Sequence, residues 1–207
     1  MPELCLKQFK QSKMETGKIF QILLILPVLI SALSSPICHP KEENPMDHQF
    51  TFTNLPKRTG NRPETTNTNP HTQLNQQPED LRYVRELMAW AFSLSDIRKR
   101  PSAVSVPGAI AMWMEDDKSC KECNAFMAGT EFAHFHPHPD HSLHLGLPQQ
   151  DAELIIEKGW GEWHPLIQRG FLPPNIVMMY APRNQEELEV ARLILRRSYD
   201  FAQGTIE

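Results

Sequence analysis

Glu131-Phe132-Ala133-His134-Phe135-His136-Pro137-His138-Pro139-Asp140-His141-Ser142-Leu143-His144 holds five of the chain's nine histidines. Histidine is the commonest metal ligand and the side chain whose charge changes near neutral pH, so the spacing of this group sets the chemistry to expect. Pro137-His-Pro-Asp140 cuts the stretch in two. Residues 132–136 and 142–147 each alternate with period two, the pattern of half-buried strands. The five residues from Pro137 to His141 then join them as an antiparallel hairpin. With His136 opposite Ser142, His134 lies opposite His144, Phe132 opposite Gly146, Phe135 opposite Leu143 and Ala133 opposite Leu145. One face becomes apolar (Ala133, Phe135, Leu143, Leu145) and the other carries His134, His136 and His144. Directly opposed residues have Cβ atoms roughly 4.5–5.5 Å apart, so His134 and His144 are expected to converge. A slip of one residue would scatter both sets, so the apolar face itself argues for this register.

Three readings of that face stay open. It is a metal site, a metal-free acid–base or ligand site, or an ordinary hydrated sheet face. His138 and His141 fall in the Pro-rich loop and are expected to be exposed.

The remaining chain narrows the class. A length of 207 residues suits one domain with appendages. Net charge is −4, the pI is about 6.1 and no basic run supports nucleic-acid binding, so no nucleic-acid partner is expected. Residues 19–33 are almost wholly apolar, follow Lys7, Lys10, Lys13 and Lys18, and lead into the small residues of Ala32-Leu33-Ser34. That is the layout of a secretory signal over residues 1–34, and export, either secreted or periplasmic, is the expectation. Met14 is a second candidate start. The apolar run is shorter than the ~20 residues of a spanning helix and contains Pro27. An uncleaved anchor is the alternative, and the one route to a membrane. Cys120-Lys-Glu-Cys123 lies in a polar turn without a second C-x-x-C. A local disulfide or two inert thiols is expected there.

Residues 35–77 are rich in Pro, Asn, Thr and Gln, and composition reads them as an irregular arm. Leu81, Val84, Leu87, Met88 and Ala91 recur at helical spacing. Residues 102–106 and 109–114 read as strands around Pro107-Gly108, and residues 124–127 as another. Leu147-Pro148 opens a helix that Gly159 ends. Residues 159–165 read as an aromatic loop plugging the core, and residues 175–180 as a buried strand. Asn184-Gln-Glu-Glu187 caps a last helix that runs to Gly204. The order predicts an α+β fold, with a mostly antiparallel sheet of about five or six strands and helices packed on one face.

Several of these stretches resemble the luciferase-domain family. They are Ser102-x-x-Ser-Val-Pro-Gly-Ala109, Glu131-Phe-Ala-His-x-His-Pro-x-Pro-Asp140, Ser142-Leu-His144, Gly159-Trp-Gly-Glu162 with His164-Pro165, and Ala181-Pro-Arg183. Arg58-Thr-Gly60 and Pro70-His-x-Gln-Leu74 belong to the same pattern. The resemblance implies that the domain begins near residue 56 and runs to about 205, leaving residues 35–55 as the flexible arm. A fold-level resemblance to MmcQ/YjbR-type proteins rests on Leu147-Pro148 and Ser198-Tyr199, and implies a non-catalytic binding module as the alternative function. A cupin-like reading fails because helices replace the strands of a second histidine motif.

His134, His136 and His144 are therefore the candidate catalytic and metal-ligating residues, with Asp140 and His164 in support. The cofactor is a candidate divalent metal. The partner is a small-molecule ligand, and the family name suggests oxidative chemistry. No Gly-rich nucleotide fingerprint occurs.

Overall fold

A computed structural model describes residues 50–207; the expectations for the signal, the anchor and the start site fall outside them. Among the described residues no helix is long and apolar enough to cross a membrane. The helices are α1 (Arg82–Ala91), α2 (Gln149–Glu157) and α3 (Gln185–Gln203). The strands are β1 (Ile97–Pro101), β2 (Ile110–Met114), β3 (Glu131–Phe135), β4 (Leu143–Gly146), β5 (Gly161–Trp163) and β6 (Ile176–Met179). They form one antiparallel sheet in the order β1-β2-β3-β4-β6-β5. The fold is α+β.

The sheet has two different faces. One carries Met112, Met114, Ala133, Phe135, Leu143, Leu145, Val177 and Met179, in a single core with Leu87, Ala152, Ile155, Leu188 and Leu195 from the three helices. Apolar burial on this side holds helices to sheet. α3 lies against β3 and β4, and α1 packs on α3. Asn184 caps α3 by accepting from the Glu187 N–H, and Gly204 closes it in the left-handed conformation. The other face carries one row across five strands: Ala111, His134, His144, Met178 and Glu162.

The hairpin register is the expected one, with Ala133 opposite Leu145, His134 opposite His144 and Phe135 opposite Leu143. Strict alternation fails one residue earlier. β2 and β3 slip at Met112/Trp113, so that Trp113 pairs with Glu131 and Phe132 is the extra residue of a bulge. A bulge re-aims side chains locally. Here Phe132 turns into the core against the Tyr199 ring, and Glu131 joins the histidine face beside His134.

Three other local expectations need correction. The strand before β2 is Ile97–Pro101, not residues 102–106, which loop over the histidine face because the Ser102 side chain binds Glu131. Residues 124–127 form no strand. Residues 159–165 are not all loop, since Gly161–Trp163 pair with β6 as the edge strand. Within that segment Trp160 does plug the core, donating to the Pro56 carbonyl, while Trp163 is partly exposed. The arm before α1 is irregular yet packed, with Leu55, Arg58, His71 and Gln73 buried.

Cys120 and Cys123 are joined by a disulfide at the far end of α3, where the Cys120 N–H donates to the Ala202 carbonyl. The bridge closes only a short loop, so its entropic contribution is small. A Cys120→Ser, Cys123→Ser double variant is expected to keep its fold and its histidine site, with a modest fall in melting temperature. Ligand or metal binding lost together with the bridge would contradict this.

Candidate functional site

Five imidazoles meet on the histidine face, all buried: His71 from the arm, His134 and His136 from β3 and its end, His144 from β4, and His164 after β5. Sequence reasoning singled out four of these and did not name His71 for the site: composition read its stretch as irregular, although the resemblance had picked out Pro70-His-x-Gln-Leu74. It also passed over Glu131 and Glu162, although both lie inside stretches that the resemblance picked out. His138 is exposed and His141 partly buried in the hairpin loop, away from the cluster.

Each ring is oriented by a second contact, the usual arrangement behind metal-binding histidines. His134 Nδ1 lies 2.8 Å from Glu131 Oε1, whose carboxylate also accepts from the Ser102 hydroxyl at 2.6 Å and the Ala103 N–H at 2.8 Å. His136 Nδ1 contacts Asp140 Oδ2, and Asp140 Oδ1 accepts the Gln73 and Ser142 N–H groups. Burial alone would raise the Asp140 carboxyl, but hydrogen bonds from His136 and Ser142 outweigh it and hold it below the ordinary range. His71 Nε2 lies 2.7 Å from Glu162 Oε1. Glu162 also accepts from Thr65, Arg62 and Tyr180. Burial opposes its ionisation, yet the bonds from His71, Tyr180, Thr65 and Arg62 hold it at about 2.

The rings continue into a chain. His71 Nδ1 is 3.1 Å from His144 Nε2, and His144 Nδ1 is 3.0 Å from His134 Nε2. From Glu162 through His71, His144 and His134 to Glu131 there are four contacts, and each needs one proton. Three neutral imidazoles supply one proton each. Carboxylates only accept, so His71 must give its proton to Glu162 and His134 its proton to Glu131. The single proton of His144 serves one side and leaves two lone pairs facing each other on the other. A cation placed between those lone pairs closes the chain.

Among the described residues two triads are close enough to hold one, His134/His136/His144 and His71/His144/His164. The tautomers separate them. His136 gives its Nδ1 proton to Asp140 and so offers a lone pair at Nε2. His164 Nδ1 accepts the Leu166 N–H at 3.1 Å, so its own proton sits on Nε2, where it cannot ligate. His134/His136/His144 is the triad with three available lone pairs. The 3.0 Å separation of His134 Nε2 and His144 Nδ1 is a few tenths short of the roughly 3.4 Å between ligand nitrogens around tetrahedral zinc. Burial drives His144 well below its ordinary pKa and lowers His134 too, so both rings are neutral, as ligation requires. Burial, with His71, His134 and His136 nearby, also holds His164 at about 3.

A cavity of about 310 Å³ opens above these rings. Its floor is histidine, and its walls are mostly apolar (Val104, Val106, Met127, Leu166, Phe171 and Leu172), with Asn69 and Ser105 among them. Apolar walls around a few convergent polar atoms are the usual make-up of a small-molecule site.

The family model described as "Luciferase domain" matches residues 129–198, which span β3, β4, α2, β5, β6 and most of α3. A protein named luciferase from Armillaria gallica is 32% identical over 163 residues, covering 71% of this chain and 60% of its own length. Another from Armillaria mellea is 33% identical over 164 residues, with the same coverage of each chain. A luciferase from Neonothopanus nambi is 41% identical over 73 residues, covering 34% of this chain and 27% of its own. The chain carries a luciferase-family domain. It spans about 60% of the length of the two Armillaria relatives. No solved structure matches.

Glu162 ties the arm of the luciferase domain to its sheet, and the ionised form makes the tie. Its folded value of about 2 lies below the ordinary 4.5. The stability it contributes is therefore fully present above pH 4.5 and is lost as pH falls toward 2. Acid unfolding followed by tryptophan fluorescence is expected to steepen in that window. Glu162→Gln should flatten the dependence; an unchanged profile would count against this account.

Proposed function

We propose that this domain is the active-site module of an oxidative enzyme of the luciferase type, in which His134, His136 and His144 hold one divalent metal ion beneath a small-molecule pocket. The observation that carries the metal is the proton deficit: four contacts share three protons, and one of the two gaps it can leave, between His134 and His144, lies beside the free lone pair of His136. The family carries the oxidative class. Three imidazole nitrogen donors, two of them backed directly by carboxylates, suit zinc, copper, iron or nickel rather than magnesium or calcium. Such an ion would bind and polarise a substrate oxygen in the pocket. The residues of this chain fix the donors, place the apolar side chains of Val104, Met127 and Phe171 beside them, and keep the His134 and His144 rings uncharged.

A second reading has its own support. One extra proton on the chain would also close it, with Glu131 and Glu162 balancing the charge. His136 with Asp140 behind it would then act as a general base on a substrate bound without metal. The same protein chemistry, without turnover, describes a binding module.

Elemental analysis of tag-free protein separates these readings. The metal reading expects one divalent transition ion per chain, restored on titration after chelation. Protein that holds no stoichiometric metal and takes up none from zinc, cobalt or copper would sink it and leave the proton-closed chain.

A further inference from the structure

Of the five imidazoles, three have both nitrogens engaged: His71 between Glu162 and His144, His144 between His71 and His134, and His134 between His144 and Glu131. Among the described residues, only His136 and His164 of the five keep a nitrogen without a protein partner, Nε2 in each case, and neither atom is among the buried atoms sealed without a partner. Both rings line the cavity, and both pack against His144, with ring centroids 4.6 Å and 4.5 Å away. Their free nitrogens are chemically opposite. Asp140 draws the His136 proton to Nδ1 and leaves a lone pair at Nε2. The Leu166 N–H occupies His164 Nδ1, which fixes the His164 proton on Nε2.

We infer that His164 is not a ligand but the donor of the pocket: its Nε2–H hydrogen-bonds an acceptor atom, an anionic or carbonyl oxygen or a metal-bound anion, of whatever is held on the His136 side. The backbone makes this assignment. The Leu166 N–H cannot change its role as a hydroxyl could, so the tautomer of His164 is set by the short 3-10 turn that follows it (Ile167–Arg169), not by the ligand. A preset donor costs no reorganisation when negative charge arrives, which is why such groups are effective at oxyanions. The inference rests on the pocket reading above, and it holds whether the chain of imidazoles is closed by a metal ion or by a proton.

Three measurements test it. In ¹⁵N-histidine-labelled protein, long-range ¹H–¹⁵N correlation should show the His164 ring as the Nε2–H tautomer; an Nδ1–H tautomer would overturn the inference without any variant. Copper-loaded protein should bind azide, read from its charge-transfer band. His164→Phe, which keeps a ring but no N–H, should leave copper stoichiometry unchanged and weaken azide about tenfold, the size of one hydrogen bond to a charged group. His164→Gln should recover part of the loss. Copper lost in His164→Phe would make His164 a ligand and overturn the inference, and so would unchanged azide affinity. Wild-type protein that takes up no copper speaks against the metal reading alone. 4-Nitrophenolate binding to metal-free protein then decides, with the same tenfold loss expected in His164→Phe. Unchanged affinity there, or wild-type protein that binds neither anion, would also overturn it.

Discussion

His144→Ala is expected to abolish metal uptake, by at least a hundredfold in affinity, because it removes the one ring that every arm of the site shares. Loss of outer carboxylates behind a ligand typically costs 10–100-fold, and removal of the ligand itself should cost more. His134→Ala should do the same. The double variant should add little, since groups sharing one ion are strongly coupled. His138→Ala lies outside the cluster and should be silent within about 0.5 kcal/mol. The check is zinc or cobalt titration of chelated protein, with circular dichroism to confirm the fold. Independent, additive losses from His134→Ala and His144→Ala would show that the two rings do not share an ion.

Gly146→Ala should be among the more damaging substitutions in the hairpin, although it adds only a methyl group. A methyl there would overlap the Ala125 carbonyl oxygen and approach the Ala125 carbonyl carbon and Cα at 3.0 and 3.2 Å. These are backbone atoms, so no rotamer change relieves the contact. Overpacking costs roughly 1–3 kcal/mol where side chains give way, and a rigid neighbour puts this case near 3 kcal/mol. In a domain of this size that is a fall of about 10 °C in melting temperature. Gly146 pairs with Ile176 at the end of the strand that carries His144, so displaced backbone should also weaken metal uptake. A variant with wild-type melting would mean that the segment around Ala125 moves aside freely.

Much of this architecture is written locally. Alternation on either side of Pro137-His-Pro-Asp140 determined the hairpin and its register, because the apolar set Ala133, Phe135, Leu143 and Leu145 has only one pairing that buries it. Helical spacing placed the first helix, Leu147-Pro148 and Gly159 bounded the second, and the Asn184 and Gly204 signals placed both ends of the last. The same periodicity put His134, His136 and His144 on one face. No periodicity marked β5 or the arm: β5 is three residues long at the sheet edge, and the arm is held by side-chain hydrogen bonds that have no repeat.

What the sequence by itself determined was therefore a histidine face, since which side of a strand a residue occupies is a local matter of period two. What only the tertiary structure decided was that this face is buried rather than wet, and which groups surround its rings. The bulge at Phe132 swings Glu131 beneath His134, the arm lowers His71 onto His144, and β5 brings Glu162 into the row across the sheet. Protonation in the cluster depends on these long-range contacts, because a buried imidazole takes its tautomer from whichever partner reaches each nitrogen. His71 and His144 are far apart in sequence, and only the closed fold brings their nitrogens to 3.1 Å.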